Sequence, residues 1–401
     1  MRHDSCRLTA AAVAAEESSC EPPLVPGYGI ALTQFSTVLN GSEVRGACLR
    51  GRQGAAWVKD STAQKRIRPL EKGSRHVMIS KFRLALLTLL FIAPEIRGQA
   101  VPTFVDIPTF MGAPLNKNLD ELKADFAVLG APFDEGTWGW PGERYGPRGL
   151  REASQEYSHD LTEGFVYIDG NRTTLKGKKW VDVGNVEVMP TVPAATDDKI
   201  TDAVHKILSK KTFPIVLGGD HSITFAIVRA FDIPITIVHF DAHLDTWNGA
   251  PGNLDHASWV NRVAKLNTVK KIIQVGMRGL ANDDESIGNA RKLGTHVITG
   301  EAVHREGPEK VLSQIQIEAT ENVYITLDVD VMDPTLTPGT GTLEPDGLNF
   351  REIDTLLKGV ARKGKLVGFD IVEVNPMRDQ SGRTAQTAVR LLVDALSEAF
   401  H

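Results

Sequence analysis

Acids and histidines stand where four apolar runs of this chain end, and that arrangement constrains the fold more than any other feature. PIVLGGDHS puts Asp220 and His221 just past one run, and ITIVHFDAHLD passes from apolar residues into His239, Asp241, His243 and Asp245. VYITLDVD ends on Asp328 and Asp330, and LVGFDIVEV ends on Asp370 and Glu373. In an open parallel α/β sheet, ligands bind beyond the carboxyl ends of the strands. Burying this many charges in separate places would cost several kcal/mol for each isolated carboxylate. Convergence on cations removes that cost.

The rest of the pattern agrees with such a sheet. From about residue 120, β-rich apolar runs recur at Asp125–Leu129, Pro214–Leu217, Ile233–Phe240, Lys271–Val275, Val323–Leu327 and Leu366–Ile371. Helix-like stretches at Lys199–Lys210, Ile223–Phe231, Pro308–Glu318 and Phe350–Arg362 fall between them, with a closing helix at Arg383–Phe400. This alternation predicts a mostly parallel sheet covered on both faces. Of the 401 residues, 42% are hydrophobic and 24% charged, which excludes wholesale disorder. With 45 Lys+Arg against 50 Asp+Glu the net charge is -5, which argues against a nucleic-acid partner.

The first hundred residues differ. Residues 1–77 carry 11 Lys+Arg and 7 Asp+Glu, a net of +4 against -9 for the remainder, and show no sustained period. They are expected to be a poorly ordered extension. All three cysteines, Cys6, Cys20 and Cys48, lie there, so no disulfide framework or cysteine zinc site is available downstream. Residues 78–100 run from basic (Met78–Arg83) through apolar (Leu84–Ala93) to small (Gly98–Ala100), the layout of a secretory signal peptide, with an apolar run too short to span a membrane. The expectation is that translation starts at Met78 and that the protein enters the secretory pathway. Asn171-Arg172-Thr173 would then be a usable glycosylation acceptor. An apolar helix packed on the domain, and a mitochondrial or cytoplasmic location, are the alternatives. Residues 101–401 form the catalytic domain in this reading.

Spacing supports convergence. Alternate residues of a strand face one side, and His239, Asp241, His243 and Asp245 are spaced by two, as are Asp328 and Asp330. Four carboxylates with two imidazoles form a hard, oxygen-rich set that favours Mn²⁺ or Mg²⁺, and the imidazoles tilt it to Mn²⁺. So many anionic ligands suggest two metals. Each piece has a plainer reading: Asp220-His221 alone reads as a turn or helix cap, Asp328-Val329-Asp330 as a surface strand end, and His239, deepest in its strand, as structural.

Together, GGDHS (Gly218–Ser222), HFDAHLD (His239–Asp245), DVDVMDP (Asp328–Pro334) with PGTGT (Pro338–Thr342), and GFDIVEVNP (Gly368–Pro376) resemble the motifs of the ureohydrolase family of arginases and agmatinases, in order and in spacing. The resemblance covers roughly residues 126–401. It implies a three-layer α/β/α fold with a mostly parallel sheet, a binuclear Mn²⁺ site with two ions per chain, and a homo-oligomer. Carried over, His221, Asp241, Asp245 and Asp328 would hold one ion, and Asp241, His243, Asp328 and Asp330 the other. A hydroxide between the ions would attack a guanidinium carbon. Glu373 would grip the guanidinium, and His256, in LDHASW, resembles the family's histidine that shuttles a proton to the leaving amine.

The implied reaction releases urea and an amine from a small guanidino compound, with agmatine, giving putrescine, as the best match. GAPFDEGTWGWPGERYGPRGLREAS (Gly130–Ser154) resembles the agmatinase N-terminal motif, but Trp140 and Glu143 depart from it, and GNLDH in the Thr246–Ser258 loop resembles arginases. Glu143 is expected to pair with a cationic tail, its plainer reading being a solvated acid. Asn185 stands where an acid is more usual. Guanidinobutyrase, arginase and a non-catalytic metal-binding member are the alternatives. A two-metal phosphoesterase would need an Asn-His pair, which the chain lacks.

Overall fold

A computed structural model describes residues 107–168, 172–249, 252 and 254–400. The extension 1–77 with its cysteines, the leader-like segment 78–100 and Asn171 of the glycosylation tripeptide lie outside the described residues.

Eight parallel strands make the central sheet: β1 (Phe126–Gly130), β4 (Trp180–Asn185), β5 (Phe213–Leu217), β6 (Ile235–Phe240), β7 (Val269–Met277), β8 (His296–Thr299), β9 (Asn322–Asp328) and β10 (Lys365–Val372). Their order is β4-β1-β5-β10-β9-β6-β7-β8. A short antiparallel hairpin, β2 (Phe165–Tyr167) with β3 (Arg172–Thr174), stands apart. Strand side chains alternate between two cores, as a two-sided sheet requires. Phe126, Val128, Val238 and Phe240 enter one core with Leu356 of α8 (Phe350–Lys363) and Leu392 of α9 (Arg383–Ala399). Ala127, Leu129, Ile235 and Ile237 enter the other with Ile200 of α2 (Pro193–Ser209), Ile227 of α3 (Ile223–Val228) and Trp259 of α4 (Trp259–Val263). The fold is therefore the expected three-layer α/β/α sandwich. The remaining helices are α1 (Gly146–Ala153), α5 (Asp284–Leu293), α6 (Gly300–Glu306) and α7 (Pro308–Gln314). Among the described residues no helix is long and apolar enough to cross a membrane.

The six strands read from hydrophobic runs are all present, each shifted by a residue or two at its ends. β4 and β8 were not expected. β4 (WVDVGN) holds a buried acid, Asp182, and Gly184 with positive φ. β8 is a four-residue edge strand with three exposed side chains.

Sheet order gathers the site. β5, β10, β9 and β6 are consecutive neighbours, and they are the four strands followed by the acids and histidines. Neighbouring strands lie about 4.8 Å apart. Four segments far apart in sequence thus end side by side on one edge of the sheet.

Candidate metal centre

Strand alternation alone does not make the cluster. β6 stops at Phe240, before Asp241, and Asp330 lies in a 3-10 turn (Val329–Val331) rather than on β9. An extended Asp241–Asp245 stretch would set its ends about 13 Å apart, too far to share an ion. Instead the chain bends at Ala242–His243, and Asp245 has left-handed backbone at φ 52°. Glu373, just past β10, is left-handed too, at φ 61°. Such conformations are costly for non-glycine residues and concentrate at functional sites.

The result is a tight, buried group. His221 Nδ1 lies 2.9 Å from Asp241 Oδ2, 3.1 Å from Asp328 Oδ2 and 3.3 Å from Asp245 Oδ2. His243 Nδ1 lies 3.1 Å from Asp330 Oδ2 and 3.3 Å from Asp241 Oδ1. Two sets of candidate ligand atoms result, His221/His239/Asp241/Asp245 and Asp241/His243/Asp330, and within each set the atoms fall within 4.8 Å of one another. Asp241 belongs to both, and Asp328 touches the first through His221. All six residues proposed from the sequence as ligands are brought together.

The donor set fits divalent cations. Asp241, Asp245, Asp328 and Asp330 are all buried, and four carboxylates carry the charge that two divalent ions would balance. Burial, and then the neighbouring carboxylates, push Asp245 up to about 8 and Asp328 well above the carboxylate range. Protein groups alone therefore do not support this concentration of negative charge.

Surrounding residues fix the ring orientations. His221 Nε2 meets Thr326 Oγ1 at 2.9 Å, leaving Nδ1 toward the carboxylates. Trp259 Nε1 donates to Asp245 Oδ2 at 2.7 Å, and its ring stacks on His221 with centroids 4.7 Å apart. Trp259 closes the LDHASW stretch, in which only His256 carries a functional signal in sequence. Gln274 Nε2 donates to Leu244 O and to His239 Nδ1, so His239 carries its proton on Nε2 and donates it to Asp241 Oδ2 at 2.6 Å. Burial lowers the His239 pKa to about 4, keeping the ring neutral. His239 is the structural histidine expected, with the particular task of orienting Asp241.

His256 and Glu373 meet across the cluster. His256 Nδ1 lies 3.0 Å from Glu373 Oε1, which also accepts from the His221 amide at 2.7 Å. Both contacts use Oε1, and Oε2 has no hydrogen-bond partner among the described residues. Burial opposes charge on His256, but the Glu373 carboxylate outweighs it and lifts the pKa to about 9. On its far side, Trp138 N donates to His256 Nε2 at 3.1 Å, so in this conformation Nε2 is an acceptor and Nδ1 carries the proton. When the ring is neutral, that amide selects the tautomer with the proton on Nδ1.

A cavity of about 360 Å³ opens over these groups, lined by His243, Asp245, His256, Asp328, Asp330 and Glu373 below and by Trp138, Trp247, Asn282, Asp283 and Ser286 toward solvent. Trp138 and Trp247 pack edge to face at 4.6 Å. Neither Trp140 nor Glu143 lines it. Trp140 is exposed beneath the Arg378 guanidinium, and Glu143 is wholly buried with Oε1 accepting from Asn375 Nδ2 at 3.0 Å. Glu143 is thus neither the tail partner nor the solvated acid expected from the sequence. Asp220 organises its turn, accepting from the Gly136 amide at 2.7 Å and the Ser222 amide at 2.9 Å. Close packing there leaves no room for a side chain at Gly219, whose Cβ would fall 1.8 Å from Phe133 O. Asp370 is buried against Thr224 and Tyr324, behind the Thr326 that meets His221, and is not among the candidate ligands. Asn185 accepts from Arg151 Nη1 at 2.7 Å, a structural contact.

A parallel α/β/α sheet with this acid–histidine cluster at its carboxyl edge defines a class, the metal-binding hydrolases. Within it the chain belongs to the arginase family, whose defining pattern matches residues 124–397, and it is an agmatinase-like hydrolase acting on C–N bonds of linear amidines. It is 33% identical to proclavaminate amidinohydrolase of Streptomyces clavuligerus, over 75% of this chain and 96% of that one. It is 32% identical to the mitochondrial arginase of Medicago truncatula, over 73% and 88%. The crystal structure of a hypothetical agmatinase from Burkholderia thailandensis superposes with a TM-score of 0.65 at 30% identity, covering 74% of this chain and 91% of that one. Relatives named for different substrates are about equally similar, so overall identity does not select one.

Proposed function

We propose that this protein is a binuclear Mn²⁺ enzyme that hydrolyses agmatine to putrescine and urea. The observation that carries the reading is the convergence of four buried carboxylates and two imidazoles at and beneath the floor of a cavity that also presents Glu373 and His256. One ion would be held by His221, Asp241, Asp245 and Asp328, and the other by Asp241, His243, Asp328 and Asp330. When bound, such a pair of cations supplies the Lewis acidity that makes water nucleophilic near neutral pH.

The chain's own residues do the rest. Glu373 offers Oε2 to a guanidinium N–H and so orients that planar cation over the cluster. His256, made basic by Glu373, takes at Nε2 the proton released as water adds to the guanidinium carbon, and passes it to the leaving amine as the C–N bond breaks. Trp138 and Trp247 cover the cavity and limit water around the reacting group.

The cavity wall supports an amine tail. No lysine or arginine lines it among the described residues, so a carboxylate tail would find no cation. Asp283, ionised because the amide of Ser286 holds its carboxylate, and the negative faces of two tryptophans favour a cation instead. Assembly as a homo-oligomer is part of the proposal, as the family resemblance implies.

The test is urea release by the purified full-length chain with Mn²⁺, offered agmatine, arginine and 4-guanidinobutyrate in parallel. Agmatine is expected to react at least about tenfold more efficiently than either competitor, the value of one cation–π or ion-pair contact. Preference for 4-guanidinobutyrate would overturn the tail assignment and keep the chemistry. No urea from any guanidino compound would overturn the function.

A further inference from the structure

The two imidazoles of the cluster are supported unequally. His221 turns its distal nitrogen to Thr326 Oγ1 at 2.9 Å. The distal nitrogen of His243 is buried without a hydrogen bond among the described residues, and the group facing it is the Glu344 carboxylate, with Oε1 at 3.7 Å. Glu344 lies in GTGTLEPDG, after the PGTGT motif, and sequence reading attached no role to it.

Two further features hold that carboxylate in place. Arg278 spends its guanidinium on main-chain carbonyls: Nη2 donates to Asp330 O at 2.7 Å and Glu344 O at 2.8 Å, Nη1 to Val331 O at 3.1 Å, and Nε to Pro345 O at 3.0 Å. One side chain thereby ties the loop bearing Asp330 to the loop bearing Glu344. The next residue, Gly279, has φ +80°, and a Cβ there would fall 2.2 Å from Glu344 Cδ and 2.5 Å from both carboxylate oxygens. Glycine is what leaves space for the carboxylate beside His243.

We propose that Glu344 is a positioning residue for the metal centre: seated by Arg278 and Gly279, it orients the His243 ring and so supports the ion held by Asp241, His243 and Asp330 in preference to the one held by His221. A carboxylate accepting from the distal N–H of a ligand histidine fixes its tautomer and raises its basicity, and losing such a partner typically weakens metal binding about 10- to 100-fold. The inference rests on the metal-centre reading above.

The experiment is calorimetric titration of the chelator-stripped full-length chain with Mn²⁺, with metal content checked by mass spectrometry. Wild type is expected to bind two ions. Glu344→Ala should weaken one of the two about 10- to 100-fold and leave the other unchanged. Glu344→Gln should recover most of the affinity, because its amide oxygen still presents an acceptor to the distal nitrogen of His243. Gly279→Ala keeps the Glu344 charge but displaces it, and should behave like Glu344→Ala. Melting of the metal-free protein should barely differ between wild type and Glu344→Ala. Two wild-type affinities in Glu344→Ala, or equal loss at both sites together with a lowered metal-free melting temperature, would overturn the inference alone. A wild-type chain that binds no Mn²⁺ would overturn the metal-centre reading and this inference with it.

Discussion

The floor and the mouth of the cavity are built differently. On the floor and just beneath it, His221, Asp241, His243, Asp245, Asp328 and Asp330 follow adjacent parallel strands, and each histidine contacts its carboxylates at 2.9–3.3 Å. At the mouth, Trp138 and Trp247 come from two loops, Asp283 caps α5, and Trp138 is 60% exposed. Floor residues have neighbours that fix each ring and carboxylate. Mouth residues have few. The difference separates chemistry, which needs fixed geometry, from selectivity, which loops can alter without disturbing the core.

The largest expected effect breaks the floor. Asp241→Ala removes the group common to the two ligand sets, and Asp328→Ala one that the proposal assigns to both ions; either should lower urea release by on the order of 10⁴-fold or more, as when one member of a cooperating catalytic unit is lost. Circular dichroism of these variants should still show the wild-type fold, since the hydrophobic cores on both faces of the sheet are untouched. Substantial activity in either variant would remove the metal centre from the mechanism.

His256 joins the two regions, bonded to Glu373 on one side and to the Trp138 amide on the other. His256→Asn should reduce kcat by about 10²- to 10⁴-fold, the usual worth of a positioned proton carrier. Mn²⁺ binding should be unchanged, because His256 touches no candidate ligand side chain through a hydrogen bond. A loss of metal affinity equal to the loss of rate would mark it as part of the floor instead.

At the mouth the effect should be smaller and of another kind. Trp247→Ala should raise KM for agmatine roughly tenfold and leave kcat nearly intact, since a cation–π contact is worth about 1–2 kcal/mol. Methylguanidine, which has no amine tail, should be hydrolysed about equally by both proteins. A matching loss with methylguanidine would show that Trp247 shapes the floor and not the tail site.

This division also explains what sequence could reveal. Strand-end acids and histidines were visible because they lie within short motifs, each on its own strand, and the hydrophobic runs marked those strands. The order β5-β10-β9-β6 that makes them neighbours was not visible, because pairing of parallel strands is non-local. Nor was the bend at Ala242–His243 with the left-handed backbone at Asp245, where period-two spacing suggested an extended strand. The mouth was hardest to read. Trp138, Trp247 and Asp283 come from three separate segments, and no spacing rule connects them. Trp259 and Glu344 were hidden for the same reason, each meeting its histidine only through the fold.

Glu143 tests the comparison from the other side, since sequence placed it at the mouth and the structure buries it completely. Asn375 Nδ2 bonds Oε1, whereas Oε2 has no hydrogen-bond partner among the described residues. Burial first, and the Glu373 charge second, raise its pKa from 4.5 to about 8. The sign follows from linkage. Between pH 4.5 and 8 the folded protein keeps a proton that the unfolded chain releases, so this group's contribution to stability falls as pH rises through that window and levels off above it. A glutamine there has no proton to lose. Glu143→Gln should therefore gain on wild type by on the order of 2 kcal/mol between pH 5 and pH 8.5, a relative rise in Tm of about 4 °C. Substrate selectivity should not change. If the difference in Tm is the same at both pH values while KM for agmatine rises, Glu143 belongs to the mouth after all, and the line between the two regions must be redrawn around it.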